Sequence, residues 1–268
     1  MSDDLSSLPP KTTLIVVDYP GRRPEGHIAD LGLDAPWLRV DFALVHPFAV
    51  DVSVAAFVKQ MVANIRLSNS SAISVAAYCM AAPLAQELVA FLSNLGYRVN
   101  SLVFLDGVPG RYEAVAEAVR NALEDIAGHR ISLEKWRDIS LDEYQLRLRP
   151  AAFFATVRDA IVGCARAELL SEGDDQNSAE IGAIEATKGY LEWIGYLSAS
   201  YRCSFPPIDS EMIHLVSRDH ELIESWPGAK STRLVKIDCD RASLLQARQT
   251  KDAVYAVIAP SGYPDLAR

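Results

Sequence analysis

Short β-branched apolar runs, each closed by turn residues, alternate along the chain with longer stretches in which apolar residues recur at helical spacing. The first run, Thr13 to Val17, stops at Asp18-Tyr19-Pro20-Gly21 and predicts a buried strand followed by a loop. Residues 22–36 are polar, with Gly and Pro, and read as loop, and residues 38–44 predict a second strand. Val54, Phe57, Val58, Met61 and Ile65 share one helical face, so residues 52–65 predict a helix. Residues 72–77 form a third apolar run that leads into Tyr78-Cys79-Met80. A helical pattern follows over residues 83–95, with Pro83 in the first turn, where a missing N–H costs little. Gly96 closes it, and residues 99–105 predict the next strand, ending at Asp106-Gly107. Strand, sharp turn, helix and strand in that order make a βαβ unit of a parallel sheet.

The alternation then stops. Residues 112–126, 141–170 (in pieces around Pro150) and 179–200 all carry helical spacing, and two further strands follow at 212–216 and 234–237, with a last helix over 250–258. About 100 helical residues between two strands of one sheet are read as an insertion. The expected organisation is therefore an α/β core from residues 1–107 and 208–268, with a helical lid from 108–207 at the carboxyl edge of the strands, where ligands bind in such sheets. The apolar stripes Phe153, Phe154, Val157, Ile161 and Tyr190, Trp193, Ile194, Leu197 would line or pack that lid.

Composition narrows the possible partners. Half of the 268 residues are hydrophobic, enough for a sizeable core, and the formal net charge is −9. An acidic surface repels phosphates, which argues against nucleic acid and against an anionic membrane face. Cys79, Cys164, Cys203 and Cys239 are far apart, without CxxC or zinc spacing, so free thiols in a reducing cytoplasm are expected, with no metal or other cofactor. The first eleven residues are polar and carry no apolar core of a leader, and no apolar run reaches the length of a membrane span.

Candidate chemistry centres on Ala77-Tyr78-Cys79-Met80-Ala81, which has the form of the G-x-S-x-G nucleophile elbow with Ala for both glycines and Cys for Ser. Such a turn strains the nucleophile's backbone and packs strand against helix, so its flanks must be small. The side chain then stands at the amino end of a helix, where dipole and free N–H groups favour a thiolate in general. The N–H of Met80 and that of the Tyr19 loop would hold an oxyanion. A Cys among apolar residues is otherwise a small buried hydrophobe, and Asp106 is open to two readings: a carboxylate that orients a base above the sheet, or a turn cap. The expected fold class is an α/β-hydrolase-like, mostly parallel sheet with an inserted helical lid.

Ala77-Tyr78-Cys79-Met80-Ala81-Ala82, with Leu84-Ala85 and Glu87-Leu88 after it, resembles the G-Y-S-x-G-G…L-A…E-L run of thioesterase domains of polyketide and nonribosomal peptide synthases. Leu102 to Asp106 is similar to the strand that carries their catalytic Asp, Ser217-Arg218-Asp219 with Trp226 to a later strand and its Trp, and Asp240 to Leu245 to the G-x-H-x-x-M-L segment that supplies their His. A cysteine nucleophile also resembles the tetramate-forming Dieckmann cyclases. The resemblance implies acyl transfer on thioesters carried by an acyl or peptidyl carrier protein, with release by cyclisation or hydrolysis.

At the family's His position stands Arg241, which cannot act as a base near neutral pH. Of His27, His46, His129, His214 and His220, the last follows a strand near a carboxyl end and is the first candidate base, ahead of His46. Three possibilities stay open: a relocated base, a thiolate acting without a partner, or a catalytically inactive pseudo-thioesterase that binds an acyl chain or carrier domain. Arg241 and Tyr78 are the candidate substrate-binding residues, and an ion pair between Asp106 and Arg241 is the expected arrangement.

Overall fold

The computed structural model describes residues 12–21, 23–48, 53–68, 72–127, 139, 141–209, 211–221 and 225–260. His129, one of the five histidines weighed above, and residues 1–11 lie outside them. The apolar runs form β1 (Thr12–Val17), β2 (Leu38–Phe42), β3 (Ala72–Tyr78), β4 (Val99–Leu105), β5 (Glu211–Val216) and β6 (Thr232–Lys236). They pair in the order β2-β1-β3-β4-β5-β6, and every pairing is parallel. A sheet covered on both faces needs continuous rather than alternating apolar strands. β1 is buried along its whole length and β4 at all but Asn100.

Helices α1 (Val54–Ala63), α2 (Ala82–Asn94), α3 (Tyr112–Ala127), α4 (Glu143–Leu148), α5 (Pro150–Glu172), α6 (Gln176–Tyr201) and α7 (Arg248–Ile258) complete the described elements. The chain divides into two compact units. One comprises the described residues within Met1–His46, Val58–Pro109 and Cys203–Arg268, and the other those within Pro47–Phe57 and Gly110–Arg202. In the first unit one face of the sheet gathers Leu14, Val16, Ala76, Val103, Leu105, Ile213 and Leu215 with Val254, Tyr255 and Ile258 of α7. Described residues of 112–201 contain helices and no strand. There α3, α5 and α6 pack on one another, with Phe153, Phe154, Val157, Ile161, Ile194 and Leu197 buried, while Trp193 is exposed and Tyr190 half-buried. The break between α4 and α5 falls at Arg149-Pro150, because proline cannot donate the bond that would continue α4.

Two local expectations differ from the structure. Residues 22–36 are not all loop: Ile28–Leu31 is a 3-10 turn that buries Ile28 and Leu31 and ends at Gly32 with φ +59°. The second strand stops at Phe42, and Ala43 and Leu44 are buried beyond it. In both places an isolated apolar pair packs into the core without the periodicity that betrays a longer element.

Gln86 ties three segments of the first unit together. Fully buried on α2, it accepts from Trp226 Nε1 (2.7 Å) and donates to the carbonyls of Pro206 (2.7 Å) and Pro227 (2.9 Å). Gly228, at φ +75°, lies so close that a Cβ would come within 2.4 Å of the Phe205 carbonyl and 2.5 Å of Gln86 Nε2. Trp226 in turn packs on Phe104, 4.7 Å between ring centres. Replacing Gln86 by Leu strands the indole N–H and two carbonyls. At about 1–3 kcal/mol for a buried group left unpaired, Gln86→Leu should lower the denaturant midpoint clearly, and an unchanged midpoint would show the network to be dispensable.

His214 is sealed among Phe104, Trp226 and His220, and neither ring nitrogen has a partner. Burial, with a smaller push from His220, lowers its pKa from 6.5 to about 4. Between those values the unfolded chain binds a proton that the folded one refuses, so stability falls as pH drops from 6.5 towards 4, by about 3 kcal/mol over the window. Unfolding titrations at pH 7.5 and 4.5 should show this loss, and His214→Leu should flatten it; an equal slope in the variant would assign the acid sensitivity elsewhere.

Candidate active site

Each strand of the first unit except β2 delivers one residue of interest to the carboxyl edge: Tyr19 after β1, Cys79 after β3, Asp106 after β4, His220 after β5 and Arg241 after β6. Cys79 has φ +54° and Asp106 φ +43°, a region that L-residues rarely adopt. From Cys79 the chain passes through a 3-10 turn (Cys79–Ala81) directly into α2, with Pro83 in its first turn. Ala81 and Ala82 are fully buried, and a Cβ on Gly107 would lie 3.1 Å from that of Ala82 and 3.0 Å from that of Phe104. Val108 N–H donates to the Cys79 carbonyl at 3.2 Å, so the turns after β3 and β4 brace each other. Small flanking residues are what this approach demands.

Cys79 is half-buried, and its Sγ accepts from Arg241 Nη2 at 2.8 Å. Among the described residues no imidazole bonds this sulfur. Arg241 opens a 3-10 turn (Arg241–Ser243) capped by Asp240, whose carboxylate accepts from Ser243 N–H at 2.8 Å. Its own N–H reaches Asp219 at 3.5 Å, and its Nε stands 4.0 Å from Glu25. Burial disfavours its charge, but the fields of Cys79, Tyr78 and Asp106 outweigh that and hold its pKa above the ordinary guanidinium value. Arg241 is a fixed cation.

The expected Asp106–Arg241 ion pair does not form. Asp106 is fully buried and accepts from Ser217 N–H (2.8 Å) and Ser217 Oγ (2.6 Å), with His220 Nδ1 3.6 Å away. The register of β4 on β5 explains this: Leu105 pairs with Leu215 and the Asp106 N–H bonds the Leu215 carbonyl, so Ser217 emerges beside the carboxylate and donates to both of its oxygens. The guanidinium is left to the sulfur. His220 does lie at the candidate site, with its side chain almost wholly buried. Burial lowers its pKa, against the opposing pull of Asp106, and Arg241 lowers it further. Its Nε2 has no partner. A cavity of about 270 Å³ is lined by His220, Ser217, Arg218, Lys236 and Asp238 together with Val216 and Ile237.

Tyr78 lies beside the thiol with its hydroxyl buried and unpartnered. Two guanidinium groups lie over its ring, those of Arg23 at 4.6 Å and Arg241 at 5.6 Å. Burial pushes its pKa up to about 12 against the opposing field of Arg241, with Cys79 and Glu25 adding to the rise, so the hydroxyl stays a neutral donor. Arg23 is bound to Asp18 (2.5 Å) and to the Gly26 carbonyl (2.5 Å), and Asp18 also accepts from Ile28 N–H (2.8 Å). Burial raises the Asp18 pKa, and Arg23 opposes it. Tyr19 is buried, with its ring folded over Gly21, where a Cβ would come within 2.2 Å of it. His46 packs edge-on to Tyr19 (6.0 Å), and His27 stands 3.8 Å from Asp18.

The expected site residues Tyr19, Tyr78, Cys79, Met80, Asp106, His220 and Arg241 thus all lie on the carboxyl edge of one sheet. Asp18, Arg23 and Glu25 escaped sequence reasoning. Their signal was four charges, Arg22 included, within eight residues after a buried strand. Among the described residues no three His, Cys, Asp or Glu side chains gather as a metal site, and no helix is long and apolar enough to cross a membrane.

No family profile matches the sequence, and no curated protein matches it. Solved structures do resemble it. One is the Vlm2 thioesterase domain carrying genetically encoded 2,3-diaminopropionic acid and bound with a dodecadepsipeptide: 14% identity, 93% of this chain and 95% of that one, TM-score 0.50. Others are the RedJ thioesterase from the prodiginine pathway of Streptomyces coelicolor (14% identity, 94% and 86%, TM-score 0.49) and the NocB thioesterase domain from the nocardicin cluster (16%, 93% and 95%, TM-score 0.46). At such identities the likeness is one of fold, and it establishes a mostly parallel six-stranded sheet with flanking helices, as in α/β-hydrolase-like thioesterase domains.

Proposed function

We propose that the protein transfers acyl groups from carrier-protein-bound thioesters through a thioester on Cys79, and releases them by ring closure in preference to hydrolysis. The observation that carries this reading is the cysteine at φ +54° between a parallel strand and a helix, with a guanidinium instead of an imidazole on its sulfur. The sulfur attacks the thioester carbonyl, a C–S bond forms on Cys79, and the carrier's C–S bond breaks with its electron pair leaving on the carrier thiolate. Backbone N–H groups of Met80 and the Tyr19 loop hold the oxyanion of the tetrahedral intermediate. Arg241 and Tyr78 contact the acyl chain. A thiol needs less help than a hydroxyl, because thiols in general are partly ionised near neutral pH.

Release separates ring closure from hydrolysis. Water needs a base to take its proton, and among the described residues no imidazole bonds Sγ. An enolate of the acyl chain, once its proton has gone to solvent, has none left to lose in the ring-closing step: its carbon bonds the thioester carbonyl and the C–S bond to Cys79 breaks with its electron pair returning to the sulfur beside Arg241. The same guanidinium favours a second reading, an inactive pseudo-thioesterase that holds an acyl chain or a carrier domain without chemistry.

Intact-protein mass spectrometry with a carrier-bound or small-molecule thioester distinguishes the two. An adduct on the native protein that is absent from Cys79→Ala supports the enzyme, whereas saturable binding without any adduct supports the binding module. Cys79→Ser should fall to about 1% of native acyl transfer or less, because a hydroxyl needs the base that Arg241 cannot be. A serine variant as active as the cysteine protein would reveal a competent base.

His220→Ala and Arg241→Ala test the remaining roles. Arg241→Ala should reduce acylation by more than about tenfold, in keeping with a charge-assisted bond to the reacting atom, and His220→Ala should reduce it by less. The reverse order, with His220→Ala as damaging as Cys79→Ala, would make His220 with Asp106 the relocated base.

A further inference from the structure

Arg241 and Tyr78 together hold more binding capacity than acylation of the sulfur uses. The guanidinium cannot lose its proton, is half-buried, and bonds Sγ, and the carboxylate paired with it among the described residues is that of Glu25 at 4.0 Å. Acylation turns that sulfur into a neutral thioester and a poor acceptor, so the cation loses its partner at the moment the acyl chain arrives. The Tyr78 hydroxyl is an unpartnered buried donor in the fields of Arg241, Cys79 and Glu25. Arg23, the other guanidinium over the Tyr78 ring, is already committed to Asp18 and Gly26 and is not available in the same way. A released half-buried cation and an orphaned neutral donor beside one reacting sulfur are both satisfied by one kind of group, an anionic oxygen.

We infer that Arg241 and Tyr78 form an oxyanion-recognising subsite, and that the preferred acyl groups carry a carboxylate or enolate oxygen close to the reacting carbonyl. This rests on the acyl-transfer reading for its timing but not for its chemistry: in the resting protein Arg241 holds the sulfur, and in the acyl-enzyme it holds the substrate's acid. The planar guanidinium fork matches two coplanar oxygens, and a carboxylate and a 1,3-dicarbonyl enolate both present them. Neutral chains leave the cation unpaired after acylation and are the disfavoured class.

Cys79→Ala frees Arg241 without any chemistry and is the protein in which to measure recognition. The probes are four N-acetylcysteamine thioesters: malonyl, its neutral methyl ester, acetoacetyl and butyryl. Calorimetric titration of Cys79→Ala should show the malonyl probe bound at least about tenfold more tightly than its methyl ester, as expected for a charge-assisted bidentate contact. Adding Arg241→Met should bring that ratio to near one, Arg241→Lys should keep part of it, and Tyr78→Phe should reduce it. Affinity for the acetoacetyl probe that rises with pH identifies an enolate as the preferred anion, while a preference confined to the malonyl probe identifies a carboxylate. Equal binding of all four probes, or a ratio that survives Arg241→Met, overturns the inference. The native protein separates this from failure of the acyl-transfer reading. Equal acylation of Cys79 by all four probes retains the enzyme and removes the subsite. Acid-selective binding without any adduct retains the subsite and removes the enzyme.

Discussion

The backbone of Cys79 is held in the left-handed region, and the carboxyl edge of the sheet is organised round that constraint. A non-glycine residue at such a φ costs about 1–3 kcal/mol, and it persists only where its surroundings over-determine it. Here they do so from two sides: α2 starts immediately beyond, through a 3-10 turn, and Val108 N–H reaches back to the Cys79 carbonyl from the turn after β4. That second turn carries its own left-handed residue, Asp106. The two strained corners pack on each other through Ala82, Phe104 and Gly107, which is why Ala fits where a larger residue would push the strands apart.

Electrostatics at this edge follow from which acceptor each donor reaches first. The buried Asp106 carboxylate is claimed by Ser217, whose position is dictated by the strand register, so it has little need of a cation. Arg241, arriving from the far side of β6, meets the sulfur instead. The result is a cysteine bonded by a fixed cation and, at the same sheet edge, an Asp–His pair that makes no hydrogen bond to the sulfur among the described residues. Such a site favours steps in which negative charge sits on sulfur or oxygen, and among the described residues no proton acceptor bonds the sulfur. The ring-closure proposal rests on that chemical bias and not on fold likeness at 14% identity.

Much of this was legible along the chain. The inner strands β1, β3, β4 and β5 were predicted within a residue of their places, because a parallel sheet buried on both faces writes them as largely continuous apolar runs, whereas the half-exposed edge strands β2 and β6 were predicted with ends off by up to two residues. The cysteine turn was legible because its flanks must be small and its helix begins at once. Ile28–Leu31 was missed because two apolar residues three apart are too few to show a period. Arg23 and Glu25 were missed because charges in a loop usually face solvent, and nothing local says that the Tyr78 ring will lie under Arg23 or that Arg241 will come within 4.0 Å of Glu25.

What the sequence determined by itself is the kind and order of elements, and that residues from five strand ends share one edge: periodicity and turn residues encode these locally. Which of those residues touch was decided only by the tertiary structure. Cys79 and Arg241 are 162 positions apart, and Asp106 and Ser217 are 111 apart. Sequence alone paired Asp106 with Arg241 by charge, but contact depends on register and on reach. A one-residue difference in the pairing of β4 with β5 would carry Ser217 away from the carboxylate and leave it for the guanidinium.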